Sequence, residues 1–119
     1  MAQIKIYGEH RHLTTHRQAL SDTIHQVNRE ILGLPENKRF HRFIALDAAD
    51  IVHPKDRSNA YTIIEMSMFE GRDATTKRRL LKQLMTTIAD KVRISVQDIE
   101  ITIFETPKAN WGIRRSDRR

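Results

Sequence analysis

The stretch YTIIEMSMFEGRDATTK, Tyr61 to Lys77, decides the fold. Its first part, YTIIEMSMF, is apolar at odd and even positions alike, which is the pattern of a strand covered on both faces. Gly71 ends it, and DATTK opens a helix, with Asp73 or Thr75 placed to cap the first free N–H groups. Arg72 sits at the joint. A helix start already carries partial positive charge and unpaired donors, so a guanidinium there either adds to an anion site or points into water.

Downstream of this joint, Leu80, Leu81, Leu84, Met85, Ile88 and Val92 form a helical stripe, and IEITIFE, 99–105, alternates as a final strand. The same plan precedes it. AQIKIYG, 2–8, alternates and ends at Gly8; Leu13, Leu20, Ile24, Val27 and Ile31 make a second stripe that Gly33 and Pro35 stop; RFHRFIALD, 39–47, reads as a strand with Phe40, Ile44 and Leu46 on one face. The punctuation of the two halves aligns, IYG with FEG and LGLPENKRF with VRISVQDIE. We therefore expect an α/β (α+β) chain: a duplicated β-α-β unit, with pseudo-repeats over 2–47 and 61–105, folded as one domain over 1–119. The polar loop AADIVHPKDRSNA, 48–60, is a connector, since neither half buries its apolar strip alone.

Right-handed crossovers put both helices on one face of a four-stranded mixed sheet. The other face is then expected to carry the remaining apolar side chains of the third strand, Ile and Met. Left wet, they form a large patch. A homo-oligomer that covers it is the consequence, and a trimer closes three sheets into a barrel-like core.

Composition narrows the function classes. No cysteine is present, which removes disulfides and thiolate metal sites. No apolar run approaches a membrane span, and MAQIKIYGEH lacks the order of a signal peptide, so the expectation is a soluble, cytoplasmic protein without a membrane partner. The formal charge is +6, from 21 Lys and Arg against 15 Asp and Glu. About half of that excess comes from the tail RRSDRR, 114–119, which reads as a solvated end. His12 and His16 share a helix face, but no third ligand stands near them in sequence, so no metal is expected. No phosphate loop, dinucleotide fingerprint or Ser-His-Asp order is present.

These residues resemble the tautomerase superfamily over nearly the whole chain, in particular its fused, trimeric members similar to malonate semialdehyde decarboxylase. The segments that carry the resemblance are GLPENKRF at 33–40, RS at 57–58, EGRDATTKRRLL at 70–81, VQDIEITIFE at 96–105 and NWG at 110–112. The resemblance implies a cofactor-independent enzyme that assembles as a trimer or hexamer. In it an N-terminal proline amine moves a proton, arginines hold the carboxylate of a small 2-keto or 2-enol acid, and an aromatic side chain closes the pocket. Arg39, Arg57, Arg72 and Trp111 match that pattern. Three positions depart from it: Ala2 replaces the proline, Lys38 stands where decarboxylase-like members carry an aspartate, and Glu70 stands where they carry a second arginine. Decarboxylation or hydration by the usual route is thereby disfavoured.

The site residues expected on this reading are Ala2, whose amine would move the proton, and Arg72, which would hold the carboxylate. Arg39, Arg42, Arg57, Phe40 and Trp111 are expected to bind substrate. A primary amine exposed before Ala2 has a pKa of about 7.7–8.0 and is still a conceivable base. Retained Met1 puts the amine one residue away. His41 and Arg42 are neighbours on a strand, so one of them faces inward and needs a partner there. Three functions follow. The first is a tautomerase-type isomerase. The second is a non-catalytic trimer of the same fold that binds a ligand or partner. The third is a nucleic-acid-binding sheet, which the 6% aromatic content and the expected burial of Tyr61 and Phe69 argue against.

Overall fold

The computed structural model describes residues 2–113, so the basic tail and Met1 lie outside the described residues. Strand β1 (Ala2–Glu9) leads into helix α1 (His10–Leu32) and strand β2 (His41–Leu46). Strand β3 (Thr62–Phe69), helix α2 (Ala74–Val92) and strand β4 (Ile99–Thr106) repeat the unit. The sheet order is β2-β1-β3-β4. Each β-α-β pair is parallel, and the two units join antiparallel through β1 and β3.

Alternation sorts the side chains. Ala2, Ile4 and Ile6 of β1, with Ile64, Met66 and Met68 of β3, are buried on the helix side. There Ile4, Ile6, Ile64 and Met66 meet Leu13, Leu20, Ile24 and Val27 of α1 and Leu80, Leu84, Ile88 and Val92 of α2, while Ala2 and Met68 pack with Leu34 in a second, smaller cluster. One cluster joins residues of both halves, so each repeat completes the other's core. Each such Leu or Ile contributes about 1.5–3 kcal/mol by leaving water.

Both helices end in the left-handed region. Gly33 does so at φ 70°, donating its N–H to the Arg29 carbonyl at 3.1 Å. Arg93 takes the corresponding place after α2 at φ 67°, the only non-glycine residue with positive φ among those described. Gly71 supplies the turn from β3 to α2 at φ 125°, a conformation that other residues adopt poorly. Asp73 is the N-cap of α2, its carboxylate accepting from the Thr76 N–H at 2.8 Å.

The open face differs from expectation. The methionines of β3 point to the helices, because they alternate in phase with Ile64. Ile63, Glu65, Ser67 and Phe69 take the open side, and the register lines Arg42, Lys5, Glu65 and Thr102 in one row across all four strands. Lys5 Nζ lies 3.8 Å from Glu65 Oε1, and the Tyr7 hydroxyl donates to the same oxygen at 2.7 Å. That bond, with burial, raises the Tyr7 phenol above its usual range. A polar belt thus crosses a face that also presents Ile63, Ile44, Leu46 and Phe104. Tyr61 precedes β3 rather than lying in it, and donates to Glu100 at 2.9 Å. No helix among the described residues is long and apolar enough to cross a membrane.

Candidate active site

Pairing Ala2 with Met68, Ile4 with His41 and Met68 with Glu105 gathers one set of elements at one end of the sheet. They are the starts of β1 and β2, the ends of β3 and β4, and the Gly71 joint. Ala2 is 3% exposed there, packed with Leu34 and Met68 and flanked by Leu32 and Ile103. Ala2 is therefore enclosed by apolar side chains, an environment that disfavours the charged form of an amine.

Arg72 extends from the same end. One of its terminal nitrogens, Nη2, donates to the Leu32 carbonyl at 3.3 Å. It touches the last carbonyl of α1, where a cation complements the helix dipole. Neither Glu70 nor Asp73 pairs with it among the described residues.

Arg39, Phe40 and Arg42 come together with Gln3 and His41 around an open cleft of about 360 Å³ at the start of β2. The Ile4 N–H donates to the Phe40 carbonyl at 2.9 Å, which ties this segment to β1. Register resolves the question of which neighbour faces inward: His41 pairs with Ile4 on the helix side, and Arg42 pairs with Lys5 on the open face. His41 Nδ1 is 2.8 Å from Ser21 Oγ on α1. Its pKa falls from 6.5 to about 4, first because it is buried, then because Arg39 and His25 are near. Arg39 Nη1 donates to Asp22 Oδ1 at 2.6 Å, which holds the Asp22 carboxyl below the usual aspartate range. Phe40 remains 40% exposed.

Trp111 packs on Phe69 at the end of β3, with ring centroids 4.9 Å apart, and Lys108 Nζ lies 5.9 Å from the Phe69 ring. Arg57 is not part of this grouping within one chain. Its loop enters β3 at the other end of the sheet, and Thr62 lies six residues before Met68, about 20 Å along the strand. There Asp98 accepts from the Ser58 N–H at 2.7 Å and from its hydroxyl at 2.6 Å, while Arg57 pairs with Asp56 at 2.9 Å. His12 and His16 are ring neighbours at 4.9 Å, but His12 Nε2 is engaged by Thr62 Oγ1 at 2.8 Å. Among the described residues no group of three or more His, Cys, Asp or Glu is placed to hold a metal ion.

Sequence reasoning missed Ser21, Asp22 and Gln3. The first two lie off the apolar stripe of α1, and helical spacing alone does not separate a side chain bonded to a strand from one in water.

Residues 38–114 match the family of tautomerase enzymes, a span that includes β2, the second β-α-β unit and Trp111. The chain belongs to the tautomerase family. Among solved structures it is similar to a malonate semialdehyde decarboxylase studied for its decarboxylase and hydratase activities. The two are 20% identical, with 97% of this chain and 94% of that chain covered at a TM-score of 0.84. A second malonate semialdehyde decarboxylase, inhibited by 3-bromopropiolate, is 25% identical over 97% of this chain and 92% of its own, at a TM-score of 0.85. A fused 4-OT that forms an asymmetric trimer is 20% identical over 98% and 99% of the respective chains, at 0.82.

Proposed function

We propose that this protein is a tautomerase-type isomerase that moves a proton between oxygen and carbon of a small 2-keto or 2-enol carboxylic acid. The observation that carries the reading is the enclosed start of β1: Ala2 is 3% exposed at the sheet end that also holds Arg72 and the Arg39–Arg42 cleft. An amine released before Ala2 would sit against Leu34 and Met68, which favours its neutral, basic form. Arg72 and Arg39 would hold the carboxylate, with Arg42 and Phe40 along the cleft and Trp111 closing the aromatic side. Assembly as a trimer agrees with the fused 4-OT relatives and covers the Ile63, Ile44 and Phe104 face. In a trimer Arg57 would serve a neighbouring subunit's site. The test is ketonisation of enol-phenylpyruvate by the purified protein beside Arg72→Ala. A loss of rate in the variant is expected; equal rates would sink the site assignment.

The departures at Ala2, Lys38 and Glu70 favour one competing reading, a trimeric binding protein of the same fold that does not turn substrate over. Intact-mass measurement separates the two. A retained Met1 with no turnover supports the binding protein, and Ala2→Pro is then expected to create activity.

A further inference from the structure

Arg39 is held from one side only. Its Nη1 amino group makes both of its contacts, to Asp22 Oδ1 at 2.6 Å and to Ser21 Oγ at 3.4 Å. Among the described residues nothing engages Nε or Nη2. Those two N–H groups form the edge of a guanidinium that meets a carboxylate in two parallel hydrogen bonds. Asp22 is fixed in turn, because Gln18 Nε2 donates to the same Oδ1 at 3.0 Å. Ser21 is fixed as well: it accepts from Arg39 and has its hydroxyl 2.8 Å from His41 Nδ1. The anchors stand on α1, while Arg39 stands at the lead-in to β2 and lines the cleft with Gln3, Phe40, His41 and Arg42. A free arginine samples many rotamers, and ordering it on binding costs affinity.

We infer that Asp22, with Ser21, is a positioning device that pins Nη1 of Arg39 and presents its Nε–Nη2 edge to the carboxylate of a small 2-oxo acid in the cleft. The inference rests on the proposed function in taking Arg39 as a carboxylate binder. It adds that the binding geometry is set from α1, by a residue with no ligand contact of its own. The pairing is also specific to arginine: a lysine at position 39 keeps the ion pair with Asp22 but has no second edge to offer.

The experiment is calorimetric titration with pyruvate, and with methyl pyruvate as the uncharged control, at neutral pH. Wild type, Asp22→Asn, Arg39→Ala, Arg39→Lys and the double variant Asp22→Asn/Arg39→Ala are compared. Asp22→Asn keeps the shape of the side chain and removes its charge. Loss of a charge-assisted contact predicts pyruvate affinity lower by roughly tenfold in Asp22→Asn and in both Arg39 variants. The double variant should be no weaker than Arg39→Ala, and methyl pyruvate should not discriminate among the five proteins. Full pyruvate affinity in Asp22→Asn, full additivity in the double variant, or no pyruvate binding by wild type each overturns the inference. Asp22-dependent binding without enol turnover leaves the clamp standing and removes the isomerase. Turnover and binding that ignore Asp22 remove the clamp and spare the isomerase.

Discussion

His41 should make this protein lose stability in mild acid. Its imidazole is folded against Ser21, and burial, Arg39 and His25 together lower its pKa from 6.5 to about 4, with Asp22 opposing them weakly. Unfolding restores the ordinary value, so between those limits the unfolded chain binds a proton that the native chain refuses. The contribution is therefore complete above pH 6.5 and is lost as the pH falls toward about 4. At about 1.36 kcal/mol per pH unit the full linkage is about 3 kcal/mol. The ring is partly open to solvent, which reduces this to about 1–2 kcal/mol. For a chain of this size that corresponds to a fall in Tm of roughly 4–8 °C. The assay is urea denaturation of wild type and His41→Gln at about pH 7 and about pH 4.5, where other groups titrate alike in both proteins. The variant should be less stable at the higher pH but should lose about 1–2 kcal/mol less on acidification. Parallel losses, or a His41 ring-proton titration centred near 6.5, would refute the reasoning.

Three further outcomes follow from local geometry. Arg93→Gly relieves a left-handed backbone at φ 67° and should add about 0.5–1 kcal/mol in thermal denaturation. Gly71→Ala strains the φ 125° turn between β3 and α2 and should cost roughly 1–3 kcal/mol; because Arg72 follows directly, ligand affinity should fall with it. Asp98→Asn weakens the bonds of 2.7 and 2.6 Å that anchor Ser58, and should cost about 1–3 kcal/mol. Limited proteolysis should then cut the 48–60 connector sooner than in wild type.

Much of the candidate site's local placement was readable one residue at a time. Arg72 stands at a strand-to-helix joint marked by Gly71 and Asp73, and those local signals place it with no knowledge of the fold. Arg39, Phe40 and Arg42 precede and open a strand whose alternation is plain. What they touch was not readable. Arg39 meets Asp22 across 17 residues, His41 meets Ser21 across 20, and Arg72 meets Leu32 across 40. Arg57 shows the same limit from the other side. It stands beside a strand that leads toward the site, yet the direction of that strand puts it at the far end.

Period and punctuation in the sequence were enough to determine two β-α-β units, the stop of the first helix at Gly33, and the mixed four-stranded sheet, because strand alternation, helical stripes and helix stops are set by contacts within a few residues. Only the tertiary structure decided which side of β3 meets the helices. A strand apolar on both faces satisfies either choice locally, and the packing of Met66 beneath α1 and α2 and of Met68 against Leu32 and Leu34 breaks the tie. The same packing lays the polar row Arg42, Lys5, Glu65 and Thr102 across the open face and brings α1 alongside the start of β2, where Asp22 meets Arg39. Such pairings depend on how whole elements seat against one another, and no short window of sequence carries that information.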